Sequence, residues 1–134
     1  MTNEEAKVLG LRAVAVGFMI ERAPGAKVHT RRGVGRGLEN GWVWVSDAKS
    51  RHLPKMPDDW PDFRDPATLG CLLALVRERF KAPGIHVRCM LPYAPDMSGK
   101  TPPPWVVHEG RGARLTQRHS TEAEALVAAL EAAP

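Results

Sequence analysis

Imidazole and guanidinium groups recur at alternate positions in two stretches of this chain that read as β-strands. His86 and Arg88 interleave with Ile85, Val87, Cys89 and Leu91; further on, Arg114, Thr116 and Arg118 share one parity, and His108 lies opposite Val107 in the segment before them. Side chains alternate across a strand, so these basic groups collect on the side away from the apolar set. Arginine suits phosphate, because its planar fork donates two parallel hydrogen bonds. His86, Arg88, His108, Arg114 and Arg118 are therefore candidates for an anion site on the open face of a sheet. The same pattern also fits a solvated outer face with scattered positive charge, which antiparallel sheets commonly carry.

A second candidate lies in the segment His29 to Gly37, where Gly33, Gly35 and Gly37 free the backbone to approach a phosphate and Arg31, Arg32 and Arg36 supply charge. The run is neither a dinucleotide GxGxxG nor a P-loop, and from Val28 to Asn40 there is no apolar periodicity, so it reads as a mobile basic loop or hairpin. From Arg22 to Lys55 eight cationic residues stand against two acidic ones, but the following stretch to Pro66 holds four aspartates against Arg64 alone. Neighbouring blocks of opposite sign are able to neutralise one another, which leaves open whether the basic block is functional. Trp42 and Trp44 form a third candidate. They share one face of an expected strand, Gly41 to Val45, where two adjacent indoles could stack a nucleobase, a contact worth roughly 1–3 kcal/mol; of the four tryptophans at least two are expected in the core.

Catalysis finds little support. Ser46 and Asp47 lie near His52 without a nucleophile elbow or an orienting third group, and the aspartates at 58, 59, 62 and 65 flank prolines or cap a helix. The chain reads as a non-enzyme. His29, His52, His86, His108 and His119 are scattered, and no CxxC or HExxH occurs, so neither a metal nor a cofactor is expected. Cys71 and Cys89 sit in apolar stretches and are expected as buried free thiols. No apolar run approaches the roughly 20 residues of a bilayer span, and the acidic start MTNEEAKV is unlike a signal peptide, which points to a cytoplasmic protein with no membrane partner.

These groups must be positioned by a chain of 134 residues, 43% hydrophobic and 25% charged, with twelve glycines and twelve prolines. That is the size and composition of one domain, with prominent loops. Thr2 with Glu5 and Thr121 with Glu124 have capping-box spacing and predict helices at both ends. The first would bury Val8, Leu11 and Ala15, with Gly10 weakening it and Gly17 stopping it; the last would bury Ala123, Leu126, Val127 and Leu130. Asp65-Pro66 opens a central helix with a stripe of Leu69, Leu72, Leu73, Val76 and Phe80, ended by Ala82-Pro83-Gly84. Strands are expected at Phe18 to Glu21, Gly41 to Val45, Ile85 to Leu91 and, as a hairpin, Trp105 to His108 with Arg114 to Arg118. Asp47 to Asp65 and Tyr93 to Pro104 read as Pro-rich connections. The expected fold is α+β, a small antiparallel sheet with two or three helices packed on one face.

Two segments carry a resemblance. DPATLGCLLALVRE, from Asp65 to Glu78, and STEAEALVAALEAAP, from Ser120 to Pro134, are similar to segments of small, uncharacterised phage and prophage proteins. Both are helix-forming core segments, so the likeness implies origin and architecture and transfers no functional residue. It implies a phage-encoded accessory protein acting in the host cytoplasm, where capture of a ligand could counter a host defence.

Taken together, the leading expectation is a non-enzymatic protein that binds an anionic partner, either a nucleotide-like small molecule or an acidic protein surface. A nucleic-acid-binding module built on the basic segment with Trp42 and Trp44 is the first alternative. A virion structural or assembly protein, with self-association through an apolar patch, is the second.

Overall fold

A computed structural model describes residues 1–38, 42–45, 51–90, 99 and 102–134, apart from the Arg51 side chain. The fold is α+β, and among the described residues it has three helices and antiparallel strands that form two sheets rather than one. The chain divides into two compact units, Met1–Leu72 and Leu73–Pro134, with the division falling inside a helix.

The first unit opens with α1, Asn3–Ala15, whose capping box is complete: Thr2 Oγ1 accepts the Glu5 amide while the Glu5 carboxylate accepts the Thr2 amide. Its buried face is Ala6, Leu9, Gly10 and Ala13, whereas Val8 is half exposed at 51%. The expected stripe of Val8, Leu11 and Ala15 is thus displaced by about one position. The reason is close packing: a Cβ on Gly10 would run into the carbonyl oxygen of Pro61, so the helix approaches its neighbour on its smallest residues. Phe18 to Glu21 forms no strand; a single 3₁₀ turn, Ile20–Arg22, buries Ile20 instead.

The sheet of this unit comprises β1 (Lys27–Thr30), β2 (Gly33–Gly37), β3 (Trp42–Val45), β4 (Arg51–Pro54) and β5 (Trp60–Pro61), in the order β4-β3-β2-β1-β5. The Gly-rich basic segment is therefore a hairpin whose second strand lies at the centre of the sheet. Its register pairs Val28 with Gly35 and Gly35 with Val45. Glycine occupies every position on one face of β2, and there the neighbours' Val28, Val43 and Val45, each at most 1% exposed, supply the core. A Cβ on Gly35 would strike the Trp44 backbone and come within 2.9 Å of the Val43 side chain. The expected connection from Asp47 to Asp65 also contains β4 and β5; of it, residues 47–50 lie outside the described residues. Phe18 and Phe63 close this core edge to face, ring centroids 5.1 Å apart.

Helix α2, Pro66–Phe80, runs across the division between the units. Asp65 caps it by accepting the Thr68 amide at 3.0 Å. Lys81, just past its end, takes a left-handed conformation with φ of 52°. In the second unit β6 (Ile85–Cys89), β7 (Trp105–Glu109) and β8 (Ala113–Arg114) form a sheet in that order, and α3, Glu122–Ala132, packs on β7 and β6. Ala123, Leu126, Val127 and Leu130 are buried with Ile85, Val106 and Val107. The expected strand end at Leu91 and most of the loop from Tyr93 lie outside the described residues. Of the two cysteines, both free, Cys71 is half-buried but Cys89 is exposed, because it sits at the far end of β6 where burial fades along the strand.

Two substitutions test this reading. Gly35→Ala forces a methyl group against the β3 backbone and is expected to lower the stability of the first unit by about 2–3 kcal/mol, seen as a lower denaturation midpoint in urea. Lys81→Gly relieves left-handed strain and, after the added freedom of the unfolded chain, is expected to raise stability by about 0.5–1 kcal/mol.

Candidate functional site

In the first unit, Lys27, Arg31 and Arg36 of the basic block pair with aspartates of the acidic block. Asp62, wholly buried, is the hub: its carboxylate accepts from Arg64 Nε and Nη2 (both 2.8 Å), from the Arg64 amide and from His29 Nε2 (2.8 Å), and Lys27 Nζ lies 3.6 Å away. Burial would push its pKa up, but the hydrogen bonds from Arg64 and His29 outweigh burial and hold it far below the usual carboxylate range. His29 is stacked flat on Trp60, ring centroids 3.9 Å apart. Arg36 pairs with Asp65 (2.8 Å) and Arg31 with Asp58. Asp65 also accepts from the Thr68 hydroxyl, which in turn accepts the Lys27 amide at 2.7 Å. Of the three basic-loop candidates, Arg31 and Arg36 are thus engaged by aspartates. Only Arg32, at the β1–β2 turn, has a guanidinium without a partner among the described residues.

Trp42 and Trp44 lie on the solvent face of β3, 46% and 37% exposed, while Val43 and Val45 point inward. Their register partners are Pro54 and His52 on β4, and Arg36 on β2 faces Trp44. His52 meets the Trp44 ring edge-on at 4.6 Å, and Val34, also exposed, belongs to the same face by parity. Trp60 is buried and Trp105 half-buried.

The other five candidates lie in the second unit, and four of them meet there. His86 is the register partner of His108, and His108 of Arg114, so the three form a row across β6, β7 and β8. Arg88 stands two residues along β6 on the same side. The two imidazoles are 6.0 Å apart. His86 Nδ1 lies 3.2 Å from the Gly84 carbonyl oxygen, placing the proton there and freeing Nε2. Arg114 Nε donates to Thr116 O, leaving the outer guanidinium nitrogens free of any partner among the described residues. His108 Nε2 is buried and has no hydrogen-bond partner among the described residues. Burial, and then the charges of Arg88, His86 and Arg114, push the His108 pKa below its ordinary value. Glu109, the next residue on β7, alternates to the opposite side. An open depression of about 350 Å³ adjoins Arg114, lined by Leu115, Thr116 and Gln117.

Arg118 is committed elsewhere. Beyond β8 the chain leaves strict alternation: the Leu115 amide donates to Val107 O, and Thr116 Oγ1 accepts from the Val107 amide. Arg118 then donates to the backbone carbonyls of Met90 (3.1 Å) and Pro103 (3.5 Å). Its parity with Arg114 does not carry over into a shared site. Trp42 and Trp44 stand in the other unit.

Sequence reasoning passed over Asp62 and Asp59 as ordinary loop carboxylates. The signal available was their concentration in one short stretch beside the basic block, which is informative only once their partners, up to 33 residues away, are known. Ser46 and Asp47 lie outside the described residues. Among the described residues no group of histidine, cysteine and carboxylate side chains is arranged to hold a metal, and no helix is long and apolar enough to cross a membrane. Comparison with protein families, with curated proteins and with solved structures yields no match.

Asp62→Asn is expected to destabilise the first unit by about 2–3 kcal/mol, since it weakens several charge-assisted hydrogen bonds whose donors keep some access to water. The pH dependence has a definite sign. An unfolded aspartate titrates near about 3.9, and the folded Asp62 and Asp65 titrate lower. Their contribution is complete above about pH 4 and is lost as pH falls through the folded values. A urea midpoint followed from pH 6 downward is expected to drop more steeply in the native protein than in Asp62→Asn.

Proposed function

We propose that this is a non-enzymatic binding protein whose anion site is the face formed by His86, Arg88, His108 and Arg114. The observation that carries this reading is the register that sets His86, His108 and Arg114 in one row across three strands, with Arg88 on the same side. Arg88 and Arg114 flank His108, and among the described residues no carboxylate forms an ion pair with either. In the first unit, by contrast, Lys27, Arg31, Arg36 and Arg64 each have an aspartate. Unneutralised positive charge on a sheet face, with one buried imidazole nitrogen still lacking a partner, is what a phosphate or carboxylate oxygen would satisfy. The ligand class is a nucleotide-like small molecule or an acidic protein surface. The resemblance of two helical segments to phage proteins extends the proposal to capture of such a ligand in an infected bacterium, as a means of countering a host defence.

A second reading rests on Trp42 and Trp44, whose exposure on an open sheet is the arrangement by which sheet-based modules stack unpaired bases. It assigns single-stranded nucleic acid to the first unit. Titration with a short oligothymidylate is expected to quench tryptophan emission, with the effect reduced in Trp44→Ala and weakened by salt; unchanged emission at low salt removes this reading.

The anion site is tested with sulfate, which does not titrate near neutrality. Followed by NMR, the His108 ring is expected to titrate at higher pH when sulfate is bound, and by linkage sulfate should bind more tightly as pH falls through the His108 pKa. Arg88→Gln and Arg114→Gln are each expected to weaken binding by about tenfold. A His108 titration indifferent to sulfate and to nucleoside phosphates would dismiss the site.

A further inference from the structure

A second cavity lies wholly within the first unit and owes nothing to the anion face. It has a volume of about 220 Å³ and sits between the β1–β2 turn and the segment after β4. Leu53, Pro54 and Met56 give it apolar walls, and Arg31 and Arg32 stand on the hairpin side. Asp59, only 1% exposed, is the acidic group lining it.

The carboxylate of Asp59 is half used. Oδ2 accepts the Met56 amide at 2.8 Å, whereas Oδ1 is buried and without a hydrogen-bond partner among the described residues. Buried oxygens are rarely left so. Every other aspartate in the 58–65 stretch has a cationic partner: Asp58 has Arg31, Asp62 has Arg64, and Asp65 has Arg36. Burial, with a smaller contribution from Asp58, pushes the Asp59 pKa up, as expected of an acid that lacks such a partner. Opposite in charge, the Arg32 guanidinium has no partner among the described residues.

An unsatisfied acid, an apolar wall and an uncommitted arginine around one small cavity specify complementary parts of a ligand. We propose that this cavity binds a small zwitterion of the amino-acid class with an apolar side chain, its ammonium group on Asp59 Oδ1, its carboxylate toward Arg32 and its side chain against Leu53, Pro54 and Met56. The volume suits this choice, being below the roughly 300–1,000 Å³ of sites that take drug-sized ligands.

The test uses the full chain labelled at the methionine methyl groups and titrated with L-leucine, N-acetyl-L-leucine and L-leucinamide. L-Leucine is expected to shift the Met56 signal saturably. Blocking the ammonium in N-acetyl-L-leucine, or making Asp59→Asn, is expected to weaken binding by about tenfold or more. The exposed Arg32→Gln, which removes no structural contact, is expected to weaken leucine by about fivefold and leave leucinamide unchanged. A Met56 signal that L-leucine does not move means a cavity filled by water only and overturns the proposal. So does N-acetyl-L-leucine or leucinamide binding as tightly as leucine itself. Because the probes and the reporting residue differ from those of the sulfate experiment, either site can fail without the other.

Discussion

A single buried carboxylate organises the first unit. Asp62 draws His29 and Lys27 from β1 and Arg64 from the approach to α2 onto one pair of oxygens, and its own amide donates to Lys27 O. Taking such a charge out of water is expensive, and only a full complement of donors makes it tolerable. With that complement in place, β1, β5 and the start of α2 are mutually located. Asp65 and Thr68 repeat the principle one turn on, tying Arg36 of β2 and the Lys27 amide to the helix cap. The aspartate-rich stretch is the glue of this unit, and it takes up the charge of Lys27, Arg31, Arg36 and Arg64.

That outcome moves the functional weight. A block of eight cations suggests a phosphate-binding surface when read along the chain, yet Lys27, Arg31 and Arg36 are each committed to an aspartate. The sparser basic residues of the second unit, Arg88 and Arg114 with His86 and His108, are set beside each other across neighbouring strands without such ion pairs among the described residues. Local density of charge is a poor guide to available charge; what matters is whether the opposite sign can fold onto it.

How much was legible follows from the same physics. All three helices were announced by their caps, because Thr2, Asp65 and Thr121 act within four residues of themselves. The row of His86, His108 and Arg114 was legible because strand parity survives folding. Arg118 was not, since the chain after β8 abandons regular alternation. Strand β2 was hidden because glycine at every inward position erases the apolar signal while the valines of β1 and β3 fill the space. The face of α1 was misjudged for a related reason: its closest contact is made by Gly10, and small residues carry little weight in a hydrophobic pattern. The division into two sheets depends on pairings between distant segments, which no local pattern encodes.

The order β4-β3-β2-β1-β5 also decides what kind of border the larger sheet presents. On one flank the last strand is two residues long, and its second residue, Pro61, has no amide hydrogen to offer; Gly10 of α1 lies against it besides. On the other flank Pro54 ends the outermost strand. Uncontrolled growth by adding strands requires a ladder of unpaired amides and carbonyls. Prolines at both margins shorten that ladder, so a sheet that exposes two indoles on its open face has at least little means of templating a neighbour along its rim.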